Sequence, residues 1–106
     1  MIVVTSDTVP GQAIEKAFGL VRGTTVRSRH VGRDLRATMR IWVGGEIPEY
    51  TKLVAECREQ AIDRMVAEAE ALGADAIVGF RFATMEVARA AAETVAYGTA
   101  VKLASE

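Results

Sequence analysis

Six arginines, Arg22, Arg27, Arg29, Arg33, Arg36 and Arg40, fall within nineteen residues that hold one acid, Asp34, and no lysine. Arg33, Arg36 and Arg40 follow an i, i+3, i+7 spacing, which puts them on one face if the segment is helical. A guanidinium is a planar fork that grips carboxylates or phosphates in fixed, bidentate geometry. Two uses fit such a cluster. It could hold an anion (a nucleotide, a phosphate, an RNA backbone), or it could pair with carboxylates of another subunit. Arg33, Asp34, Arg36 and Arg40, with Arg81 further along the chain, are the candidate anion-binding or subunit-interface residues. An enzyme built here would use Arg33 and Arg40 to hold an anionic substrate and Asp34 or His30 to move a proton.

Other familiar chemistries find little to work with. A zinc site needs about four Cys, His, Asp or Glu ligands converging. This chain has one Cys and one His, with no CxxC, HxxxH or HExxH. No GxSxG surrounds a serine, and the glycines are not clustered as a phosphate-binding loop. No aromatics interleave the arginines, so the stacking platform of single-strand binders is missing, and nucleic acid is not an expected partner. No metal, cofactor or catalytic residue is assigned. A metal-binding module stays open as an alternative class, since symmetry-related His30 side chains could meet between subunits.

Charge is uneven along the chain. Residues 1–40 carry seven basic and three acidic side chains, whereas residues 41–106 carry six and eleven. Complementary halves suit contacts between copies and weigh the arginines toward assembly. The net charge of −1 gives no global field for a membrane or nucleic acid. With 106 residues the chain is expected to be one domain, residues 1–106. One cysteine excludes an intrachain disulfide. With no basic leader and no long apolar run, the expectation is a soluble, cytoplasmic protein.

These groups must be positioned by a small set of elements. Ile2–Thr5 is a β-branched run and reads as a strand, broken by SDTVPGQ. Residues 13–18 are open between helical turn and loop. Residues 20–29 alternate loosely and predict a strand. Val31, Leu35, Met39 and Trp42 form a helical stripe that stops at Gly44-Gly45, and Trp42 is expected to be buried. Residues 49–72 predict a long helix whose apolar face carries Tyr50, Leu53, Val54, Cys57, Ala61, Met65, Ala69 and Leu72. Cys57 on that face reads as a small core hydrophobe. Gly73 ends the helix, residues 76–87 predict a strand, ARAAA a turn or bulge, and residues 93–103 a last strand. Gly23, Gly79 and Gly98 fall inside predicted strands, where each should permit a bulge, a bend or a close backbone approach. The order is β-β-α-α-β-β: an α+β layer of a small antiparallel sheet against one long and one shorter helix.

The stretches GRDLRA (32–37), VGGEIPEYTKL (43–53), ALGADAIVGFRF (71–82) and AYGTAVK (96–102) together resemble the YbjQ-like family. These are small bacterial and archaeal proteins labelled heavy-metal-binding, with no established biochemical role. His30 departs from the family, whose members often carry Asn before the GRD. The resemblance implies an α+β subunit that assembles into a homopentameric ring. The expected function is therefore that of a non-enzymatic homo-oligomer, either a small-ligand binder or a scaffold. A small anionic ligand is a possible partner.

Overall fold

The computed structural model describes residues 1–28, 48–88 and 91–105. Its elements are β1 (Ile2–Val3), β2 (Ile14–Ser28), α1 (Pro48–Ala71), β3 (Ala76–Ala88) and β4 (Ala91–Leu103). The four strands make one sheet in the order β1-β3-β4-β2. β3 and β4 run antiparallel, as do β2 and β4, but β1 pairs with β3 in parallel through Ile2–Ala76 and Val3–Ile77. The sheet is thus mixed rather than purely antiparallel. β1 and β3 are joined through most of the chain, so no hairpin constrains β1 to run the opposite way. The expected shorter helix, with Trp42 and His30, lies outside the described residues.

α1 covers one face of the sheet. Along it, Cys57, Ala61, Met65 and Ala69 recur every four residues and are buried, with Ile62 and Val66 partly buried beside them. They close on Val21, Ile77, Ala96 and Ala100 from the strands. Four residues of this contact are alanines, two on the helix and two on the strands, so the helix lies close to the sheet. Leu72, expected on the same face, is exposed, because the helix has already ended. The Gly73 N–H donates to the Glu70 carbonyl (3.0 Å) and the Ala74 N–H to the Ala69 carbonyl (3.1 Å), the paired bonds of a Schellman cap. Arg64 donates to the Thr24 carbonyl (2.5 Å) and Thr25 Oγ1 to the Cys57 carbonyl (3.1 Å), tying α1 to β2.

A second apolar cluster lies on the opposite face. Ala76, Val78, Val101 and Leu103 are buried there beneath the segment that follows β1, which contributes Val9 to the cluster. That segment is pinned by the Val4 N–H on the Ile77 carbonyl (2.9 Å), the Phe80 N–H on the Val4 carbonyl (3.0 Å) and the Gly79 N–H on the Ser6 carbonyl (2.9 Å). Residues 13–18, undecided from sequence, belong mostly to β2. Register shifts opposite Ile14–Lys16 and Ala17–Gly19 break their alternation, which hides the strand period.

A bulge in β3 sets which side chains reach which face. Val78 pairs with Thr99 and Arg81 with Tyr97, so Gly79 and Phe80 oppose Gly98 alone. Gly79 has φ +64°, the left-handed value a non-glycine residue adopts only at a cost. The extra residue puts Phe80 against the helix-side core and sends Arg81 to the other face. With strict alternation Arg81 would point into the core.

Candidate functional site

Arg81 is the predicted site residue that falls among the described residues. Its Nη1 donates to the Thr5 carbonyl (3.0 Å) and to the Phe80 carbonyl (2.7 Å), so it ties the segment after β1 to the bulge. These bonds lie within its own chain. Arg33, Asp34, Arg36 and Arg40 lie outside the described residues, as do Arg29 and His30.

The strand register assembles a different group. Arg22 on β2, Tyr97 on β4 and Arg81 on β3 stand in one cross-strand row: Arg22 pairs with Tyr97, and Tyr97 with Arg81. Paired residues on antiparallel strands project to the same side of the sheet. Here that side is the one away from α1, since the neighbours Val21 and Ala96 point into the helix-side core. All three side chains are exposed. Arg22 belonged to the arginine cluster seen in the sequence, but Tyr97 had no chemical signal. Only the register, with its bulge, brings the tyrosine between two arginines.

Cys57 is free and buried, as its place on the helix stripe implies. Asp75, within the GAD turn, accepts a hydrogen bond from the Leu103 N–H at Oδ2 (2.9 Å), while its own N–H donates to the Val101 carbonyl (2.9 Å). Its carboxylate therefore closes the end of the sheet. Among the described residues no group of three or more His, Cys, Asp or Glu is placed to hold a metal ion.

A family model described as "Putative heavy-metal-binding", the YbjQ model, matches residues 1–104. The chain belongs to the YbjQ family. Relatives named UPF0145 protein occur in Methanosarcina acetivorans, 50% identical with 97% of each chain covered, and in Fervidobacterium nodosum, 52% identical over 97% of this chain and 95% of the relative. The Thermus thermophilus relative is 50% identical over 97% of this chain and 90% of its own. Among solved structures, a protein of unknown function of the DUF74 family from Pediococcus pentosaceus superposes with a TM-score of 0.66 at 18% identity, covering 98% of each chain. That likeness supports the YbjQ α+β fold. The four stretches that carried the resemblance include the Gly73 cap, the Asp75 clasp, the Gly79 bulge and Tyr97.

Proposed function

We propose that this YbjQ-family chain works as the subunit of a homo-oligomeric ring, with five copies as the family resemblance implies, and that it binds a small ligand or serves as a scaffold without catalysing a reaction. The observation that carries the proposal is the pair of long sheet edges. Among the described residues β2 pairs on one side alone, with β4, over fifteen residues. β1 spans only two residues, so β3 beyond the bulge has no outer strand among the described residues. Unpaired edges of this length invite strand addition unless they are covered. Apolar side chains stand near them: Leu20 is 64% exposed, Val26 57%, Met85 53% and Phe82 39%.

The edges are on opposite sides of the sheet, so joining β2 of one copy to β3 of the next makes a head-to-tail contact. Such contacts close into a ring when the rotation per subunit permits. The opposite charge of the two halves of the chain supports the same contact. Light scattering on the eluting peak of a sizing column is the test. A mass near five chains is the expected result, and a single-chain mass at micromolar concentration overturns the proposal. No helix among the described residues is long and apolar enough to cross a membrane.

A further inference from the structure

We infer that Arg22, Tyr97 and Arg81 form a binding site for a nucleoside phosphate on the sheet face opposite α1. The site rests on the small-ligand half of the proposed function and deepens it.

Three features support it. The first is the row itself. Neighbouring strands lie about 4.8 Å apart, so the two arginine backbones flank Tyr97 at about 5 Å on either side. Side chains as long as arginine's can converge above the ring from both sides. The second is unbalanced charge. The adjacent pairs on that face, Leu20 with Thr99, and Thr24 with Val95 and Ala83, contain no acid. Glu93, four residues from Tyr97 along β4, is about 13 Å away at the rise of an extended strand. The third is preorganisation. Arg81 spends Nη1 on the Thr5 and Phe80 carbonyls, which fixes the side chain. The Nε–Nη2 edge, the fork that grips a phosphate with two parallel bonds, has no partner among the described residues. Arg22 likewise makes no hydrogen bond or ion pair among the described residues.

A phosphate fits the two guanidinium groups, and the tyrosine adds the second half of the recognition. Its exposed ring offers a flat face on which a nucleobase can stack, a contact that tolerates any base. A ligand carrying both a phosphate and a planar ring uses all three residues; a bare anion uses two.

Calorimetric titration of the intact protein with ADP, adenosine and inorganic phosphate tests the site, with the mass of every variant checked by light scattering. ADP should bind more tightly than either adenosine or phosphate. Arg22→Gln removes a charged donor that has no intramolecular partner in the described structure, so the fold is preserved. It should weaken ADP about tenfold or more, the range for a charge-assisted hydrogen bond. Arg81→Gln should do the same, with some loss of stability because the tie to Thr5 goes with it. Tyr97→Ala should reduce ADP to the affinity of phosphate, and Tyr97→Phe should keep it. The proposal is overturned if ADP gives no binding at millimolar concentration, if Arg22→Gln binds ADP as the native protein does, or if Tyr97→Ala leaves the preference for ADP over phosphate intact. A failed titration with an intact oligomer would leave the assembly proposal standing, and a monomer that binds ADP would do the reverse.

Discussion

A methyl group on Gly23 would overlap the carbonyl oxygen of Ala61 and crowd the backbone nitrogen of Met65. The helix therefore crosses β2 at a point where the strand has no side chain, and backbone packs on backbone. This is why a strand that gains from β-branched residues elsewhere carries a glycine there. Gly23→Ala should destabilise the protein by about 3 kcal/mol or more, at the upper end of overpacking costs, because rigid backbone and not a flexible side chain must move. Chemical denaturation measures it.

Gly79→Ala separates backbone strain from packing. Nothing lies within 4 Å of a Cβ built there, so its cost should come from the φ of +64° alone, about 1–2 kcal/mol. Gly79→Asn should cost less, because asparagine tolerates the left-handed region. A denaturant series on the two variants should rank native protein first, Asn second and Ala third.

Met65 is fully buried where α1 meets β2 and β4. Met65→Ala should cost about 2–5 kcal/mol, as for other core truncations. The neighbouring small residues Ala61 and Ala69 leave little to collapse into the space, so the upper part of that range is expected from the shift in denaturation midpoint.

Thr25→Val tests the link between β2 and α1. Thr25 is 2% exposed and its hydroxyl donates to the Cys57 carbonyl. Valine keeps the shape and removes the donor, which should cost about 1 kcal/mol in an equilibrium unfolding experiment. Thr25→Ser should retain the bond.

Cys57 is 6% exposed, and a thiol reagent reaches it only through an opening of the helix–sheet contact. Labelling under native conditions should be slower by orders of magnitude than in denaturant. Reaction at the denatured rate would show that this end of α1 is not packed as described.

The long helix was legible because its buried positions repeat every four residues from Cys57 to Ala69, a signal that survives without a partner in view. β3 and β4 were legible as apolar runs, and Gly79 announced an irregularity. What the sequence hid is long-range. The parallel pairing of β1 joins residues more than seventy positions apart, and no turn chemistry records it. The first residues of β2 lost their period to two register shifts. Arg81 looked like a charge awaiting a partner chain, whereas two of its hydrogen bonds go to carbonyls of its own chain. Arg22 and Tyr97 are seventy-five residues apart, and only the completed sheet makes them neighbours.

The bulge at Gly79 and Phe80 also gives β3 a parity. Every side chain from Arg81 to Met85 owes its facing to one residue that has no counterpart on β4. Deleting Phe80 would remove the bulge and cost the helix-side core its Phe80 ring, yet leave Arg81 opposite Tyr97 on its present face, whereas deleting one residue between Arg81 and Met85 would reverse every side chain after it. Past the bulge, length is therefore as strict as composition: a substitution there is felt at one position, but a one-residue deletion turns over every side chain that follows it. The connection from Thr5 to Ala13 is held to β3 at Thr5 and Ser6 and to the core at Val9, so the exposed turn at Pro10 and Gly11 is where a change in length should be absorbed.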